Sequence, residues 1–220
     1  MNIINRIGKY RNGSWGQRNV SDITKITVHH TAIQQGQNDD ELLRALQNHH
    51  ENGNGWPGLA YHFVITPNGN IYQTNNFSDI TWHDTVNTDS IGVVVHGYFH
   101  PTFNEVPTGE ELKSLRALLD ELCTKHPEFP ADKKAVYAHR DRTQTACPGN
   151  NMYNLITEYR EKLGDVSWGN YASETGVPAN SSISNWAKLT AYLGLSPLAS
   201  YEAVTGKFDY TSNRLKIVER

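Results

Sequence analysis

The chain has 220 residues, 37% of them hydrophobic, and a formal net charge of -3. That length holds one sizeable domain, alone or with a small appendage. The charge argues against a strongly basic nucleic-acid-binding surface, and no apolar run approaches a membrane span, so neither nucleic acid nor membrane insertion is expected. The start, Met1-Asn2-Ile3-Ile4-Asn5-Arg6, lacks an extended hydrophobic core, so no secretory signal is expected. Two cysteines allow at most one disulfide. Cys123 follows Leu119 and Leu122 on a helical face and reads as a buried, inert thiol.

Residues 1–22 are polar with scattered aromatics, and Trp15 reads as packing this lead-in segment onto the core. Lys25 to Ala32 reads as a buried strand that ends in His29 and His30. Side chains alternate along a strand, so the two histidines face opposite ways. Only one can join a given metal ion, and the strand pattern does not say which. A helix follows over Asp39–His50, capped by Asn38 or Asp39, with Leu42, Leu43 and Leu46 on one face. His49 and His50 diverge by about 100° on a helix, too far to share an ion, so one should pack and the other be solvated. Leu59 to Ile65 is the next strand, and Asn68-Gly69 signals a hairpin into Ile71-Tyr72-Gln73. Alternation places Tyr61, Phe63 and Ile65 on one face, with Tyr61 as a core aromatic.

Asp79 to Asn87 is a polar loop carrying Trp82 and His83, the composition of a groove wall. Ser90 to Gly97 reads as a central strand, apolar on both faces. His96 at its end is either a satisfied strand-end histidine or a proton-handling group. Thr108 and Glu111 form a capping-box pattern, and Leu112, Leu115, Leu118, Leu119 and Leu122 form the buried stripe of a scaffold helix. Ala135 to Ala138 is a short strand that delivers His139. Cys147 follows eight positions later, closed by Pro148-Gly149. Imidazole and thiolate are borderline-soft ligands that suit zinc, and a loop of this length can fold back onto one ion. Three protein ligands and one open position form the catalytic type of zinc site, whereas structural sites fill all four. Tyr153 begins another amphipathic helix, to about Leu163. Strands alternating with helices, plus a hairpin, predict an α/β fold with a single mixed sheet flanked by helices. Residues 1–163 form the expected catalytic domain, 164–180 a linker rich in Gly, Ser and Asn, and 181–220 a small module. That module is a targeting contact, an oligomerisation element or packing on the main domain.

Val28-His29-His30-Thr31-Ala32, Ala60-Tyr61-His62-Phe63, Ser90-Ile91-Gly92 and His139-Arg140-Asp141 with Thr145-Ala146-Cys147-Pro148-Gly149 resemble the zinc-dependent N-acetylmuramoyl-L-alanine amidases. That family includes peptidoglycan recognition proteins and amidase-type phage lysozymes. The resemblance spans about residues 14 to 163 and implies one Zn2+ held by His29, His139 and Cys147, so it selects His29 over His30. It implies an active-site role for Tyr61 and substrate contacts from Trp82, His83 and Asn87. Where some phage relatives carry a lysine, this chain has Thr145, whose hydroxyl can donate one hydrogen bond. Where some carry a strand glutamate, it has Val94, Val95 and His96, so Thr145 and His96 are the remaining candidates for the chemistry. The implied reaction is hydrolysis of the muramoyl–L-alanine amide of bacterial peptidoglycan. The alternatives are a recognition protein that binds without cutting, and a soluble anhydromuropeptide as target. Without a signal, the chain would reside in a host cytoplasm until lysis, as a phage endolysin does. It would act as a monomer or as an oligomer joined through its C-terminal segment.

Overall fold

The computed structural model describes residues 2–103, 105–124 and 133–161, together with two short strands at 207–209 and 214–216. In chain order the first unit contains β1 (Ile3–Asn5), β2 (Gly16–Gln17), β3 (Lys25–His30), α1 (Asp39–Asn48), β4 (Phe63–Ile65), β5 (Ile71–Gln73), β6 (Asp79–Ile80), β7 (Ser90–Val95), α2 (Gly109–Thr124), β8 (Val136–Ala138) and α3 (Asn150–Glu161). Six strands make one mixed sheet in the order β1-β5-β4-β7-β3-β8, and β2 and β6 pair separately. β4 and β5 are antiparallel, as their hairpin demands, while β4–β7, β7–β3 and β3–β8 are parallel. Parallel neighbours require crossovers, which α1, α2 and the long loops provide.

The sheet buries both faces. Ile26 and Val28 of β3, Ile91, Val93 and Val95 of β7, and Phe63 and Ile65 of β4 pack under α2 and α3 through Leu115, Leu118, Leu119, Leu122, Met152 and Ile156. The other face carries Val64, Tyr72 and Val94 against Leu42, Leu43 and Leu46 of α1. Each such aliphatic side chain contributes about 1.5–3 kcal/mol by leaving water. β7 is buried at every position, as its apolar run predicts for a sandwiched strand.

Local signals set most boundaries. Asn38 accepts from the Glu41 amide and Glu41 reaches back to Asn38, a reciprocal cap that starts α1. Thr108 and Glu111 do the same for α2, at 3.1 and 2.8 Å. Three expectations shift. The α-helix expected to run to His50 ends at Asn48, and His49–Gly53 continue as a wider π turn. The last helix begins at Asn150 rather than Tyr153. The strand expected from Leu59 enters the ladder only at Phe63. The Tyr61 carbonyl is taken by the Thr74 hydroxyl and the Asn75 side-chain Nδ2, at 2.7 and 2.6 Å, instead of by a strand. Alternation therefore does not extend back to Tyr61, which packs with the α1-side cluster, opposite Phe63 and Ile65.

The chain divides into two compact units, Met1–Gly164 and Asp165–Arg220. In the second, Lys207–Asp209 and Arg214–Lys216 pair antiparallel. The helix expected around Ile183 to Leu193 and the helix stop at His126-Pro127 lie outside the described residues. Among the described residues no helix is long and apolar enough to cross a membrane.

Candidate active site

β3 and β8 run parallel and adjacent, so their carboxyl ends open at the same edge of the sheet. In open α/β sheets that edge is where sites form. Thr27 and His29 lie on the α1 face of β3, and His30 lies on the opposite face. The His30 ring accepts the Phe99 amide at 3.2 Å, under the α2–α3 layer. His139 begins the turn that follows β8. The segment beyond it folds back because the Arg140 amide donates to the Cys147 carbonyl at 3.0 Å. The Arg140 side chain also holds Asn150 at 2.7 Å and stacks over the Tyr153 ring. One ligand atom each from His29, His139 and Cys147 then lies within 4.8 Å of the others. The Cys147 sulfur is 3.8 Å from His29 Nδ1 and accepts the His30 amide at 3.4 Å. The structure thus brings His29, not His30, beside the other two.

The electrostatics suit a cation. Burial holds His29 well below the ordinary imidazole range, helped by His139 and His83. Burial also lowers His139, against the pull of Asp84. Both rings are neutral near pH 7 and have lone pairs to give. Burial pushes the Cys147 thiol up to about 12, against the His30 amide and Arg140. A dication placed among these groups would displace the thiol proton and convert a desolvated thiol into a paired thiolate. Two neutral imidazoles and a thiol in this clearance therefore fit a tetrahedral zinc with one position to spare.

Around the three ligands stands a polar shell. The fully buried Asp84 carboxylate pairs with Arg142 and accepts the Thr27 hydroxyl at 3.1 Å, with His139 Nε2 3.9 Å away. Burial alone would raise the Asp84 carboxyl, but Arg142 and the Thr85 amide outweigh it and hold it below the usual carboxylate range. The sequence carries no sign of this role beyond an acid beside His83.

The Tyr61 ring is centred 5.2 Å from His29, half-buried at the rim. Burial and then Cys147 raise its phenol above the ordinary tyrosine value, so it stays protonated. His50 lies between Tyr61 and Trp56, at 5.5 and 5.0 Å, and accepts the Ala60 amide, while His49 is exposed. Trp82 is 45% exposed and meets Trp15 and Trp56 edge-on at 5.7 and 6.3 Å. Trp15 itself is buried and donates to Asn75 at 2.9 Å. This aromatic row is more extensive than the loop composition suggested, because Trp56 comes from a separate segment.

The remaining candidates sit further from open space. Asn87 closes its own loop, donating to the Asp84 carbonyl and accepting the Asp84 amide at 2.7 and 2.8 Å. His83 is buried behind His29 rather than lining a wall, with Nδ1 3.2 Å from His29 Nε2. His96 is fully buried; its Nδ1 meets the Thr31 hydroxyl at 3.0 Å and its Nε2 meets Gln37 at 3.1 Å. It does not enter the three-residue group. The Thr145 hydroxyl accepts the Cys147 amide at 3.3 Å, which shapes the ligand loop.

Comparison with known proteins agrees with this geometry. The family described as N-acetylmuramoyl-L-alanine amidase matches residues 19–150. Peptidoglycan-recognition protein SC2 of Drosophila melanogaster is 26% identical over 153 residues, covering 64% of this chain and 80% of that protein. The solved structure of the N-acetylmuramoyl-L-alanine amidase LysC from Clostridium intestinale superposes with a TM-score of 0.56 at 26% identity, covering 71% of this chain and 95% of that one. An endolysin from a Thermus scotoductus bacteriophage shares the fold, with a TM-score of 0.59 at 24% identity over 73% of this chain and all of that one.

Proposed function

This chain belongs to the N-acetylmuramoyl-L-alanine amidase family, and from that premise we propose that it hydrolyses the amide between N-acetylmuramic acid and L-alanine in peptidoglycan, with zinc held by His29, His139 and Cys147. The observation that carries this reading is the close approach of those three donor groups at the open edge of the sheet. Zinc bound there would supply Lewis acidity and lower the pKa of a bound water towards about 7. The protein's own groups do the rest. Tyr61, still protonated, donates a hydrogen bond to the amide oxygen as negative charge gathers on it. Thr145 and Arg140 hold the loop that presents Cys147. Asp84, fixed by Thr27 and Arg142, faces His139 and offsets positive charge around the ligands. Trp82 and Trp56 offer flat apolar faces for a sugar ring or stem peptide. His96, enclosed by Thr31 and Gln37, serves the strand end and not the reacting atoms.

Residues 1–163 perform the chemistry in this proposal, and 181–220, beyond the linker 164–180, add a second contact to the wall. The biological setting is that of a phage endolysin reaching the wall at lysis. The test is digestion of purified peptidoglycan with and without a chelator, read by mass spectrometry. New L-alanine amino termini that the chelator abolishes are the expected result. Binding to the wall without any cut would instead assign the chain to the recognition proteins that grip and do not cleave.

A further inference from the structure

Behind His29 lies a line of buried polar groups that hydrolysis alone does not explain. His29 Nε2 is 3.2 Å from His83 Nδ1. His83 Nε2 is 3.4 Å from the Ser90 hydroxyl, and that hydroxyl donates to the Val86 carbonyl at 3.2 Å. The ring of His83 lies flat against Gly92, where an added Cβ would come within 2.6 Å of His83 Cγ. His29, His83 and Ser90 are all buried.

The proton positions along this line follow from its far end. The Val86 carbonyl can only accept, taking Arg142 Nη2 at 2.8 Å as well, and it lies nearer to the Ser90 hydroxyl, at 3.2 Å, than His83 Nε2 does, at 3.4 Å, so we assign the single Ser90 hydroxyl proton to Val86. The Ser90 oxygen then has lone pairs left and accepts from His83 Nε2–H. A neutral imidazole carries one ring proton, so His83 Nδ1 is bare and accepts from His29 Nε2–H. His29 therefore has its own proton on Nε2 and a bare Nδ1, and Nδ1 is the atom that faces the Cys147 sulfur at 3.8 Å.

We propose that His83 is a positioning residue: with Ser90 and the Val86 carbonyl it forms a one-way hydrogen-bond line that fixes His29 as the Nε2–H tautomer and presents Nδ1 to the metal. The inference rests on the zinc reading of the site, and it changes the role that the loop composition and the resemblance gave to His83. Gly92 is part of the device, because any side chain there would displace the His83 ring. Partners behind a ligating histidine commonly change metal affinity by about 10–100-fold when removed.

The experiment uses the full chain and Zn2+ alone. A long-range proton–nitrogen spectrum of the 15N-labelled, metal-free protein should show His29 as the Nε2–H tautomer, with Nδ1 shifting when Zn2+ is added. His83→Phe keeps a ring of similar size and removes the acceptor. Its zinc dissociation constant, from competition with a chromogenic chelator, should rise about 10–100-fold while the metal-free melting temperature holds. His83→Asn, whose Oδ1 can accept from His29, should recover part of the loss. An Nδ1–H tautomer of His29 in the metal-free wild type would overturn the inference, as would a His83→Phe protein that binds zinc as tightly as the wild type. If His83→Phe fails to fold, Ser90→Ala decides. A loosened His29 tautomer and weaker zinc binding support the line, and unchanged values of both overturn it. A wild type that binds no zinc at all sinks the zinc reading, and the tautomer spectrum still decides the hydrogen-bond line.

Discussion

Cys147 and Tyr61 carry different parts of the chemistry, and single substitutions separate them. Cys147→Ser removes the only thiol of the ligand group. A serine hydroxyl does not deprotonate as a thiol does beside zinc, so zinc content should fall and chelator-sensitive hydrolysis should drop by more than about 100-fold. The metal-free melting temperature should stay close to wild type, because the half-buried thiol makes no strong hydrogen bond of its own. Full activity in that protein would remove Cys147 from the metal. Tyr61→Phe keeps the ring beside His29 and His50 and removes the phenol proton. Turnover on peptidoglycan should fall by about 100–1000-fold, the range for losing one donor to a developing oxyanion, with zinc content unchanged. Zinc loss in Tyr61→Phe would make the residue a structural support instead. At this scale the sequence was informative about residue types and silent about surroundings. His139 and Cys147 were visible as a pair because their spacing is local. Asp84 was not, because its partners come from two other segments, Thr27 from β3 and His139 and Arg142 from the turn after β8.

Among the elements, the start of α2 holds the clearest electrostatic tension. Glu111 is fully buried; Oε2 accepts from Gln35 and the Thr108 amide, at 2.9 and 2.8 Å, and Oε1 has no partner among the described residues. Burial pushes its carboxyl up to about 8 despite those hydrogen bonds. The unfolded chain loses this proton at about pH 4.3, the folded chain only near 8. The folded state therefore binds the extra proton between those values, and stability falls as pH rises through that window. Glu111→Gln keeps the accepting oxygen and removes the titration. It should be more stable than wild type at pH 8 by about 4–5 kcal/mol and nearly equal at pH 4, as read by urea unfolding at the two pH values. Equal stability at pH 8 would mean that Glu111 is ionised in the fold. The capping pattern that starts α2 was legible in the sequence, since it involves positions three apart. Its cost was not, because Gln35 and the enclosing loops arrive from elsewhere. The turn at Tyr61 was not legible for the same reason: alternation assumes a strand partner, and Thr74 and Asn75 replace one there.

For the whole molecule, the chain divides into two compact units, and the proposed division of labour between them is open to test. If residues 165–220 provide a second contact with the wall, a chain ending at Gly164 should bind zinc and cleave a small soluble muropeptide as the full chain does. It should pellet with insoluble peptidoglycan about tenfold less well, since a second linked contact raises residence on a polymer. Unchanged pelleting would leave the second unit without a wall-binding role. By itself the sequence determined the mixed α/β architecture, the burial of both faces of the central strand β7, the capping box of α2 and the opposed faces of His29 and His30. All of these follow from short-range geometry: the period of two in a strand, 3.6 in a helix, and hydrogen bonds within a turn. The strand pattern left open which histidine meets Cys147 and the family resemblance selected His29; only the tertiary structure decided which way Tyr61 turns, and that His83 stands behind His29. Those outcomes depend on β8 pairing beside β3 and on which loops cross the open edge of the sheet. Contacts between residues more than a hundred positions apart, as Cys147 is from His29, arise from packing of the complete sheet, and no local pattern encodes them.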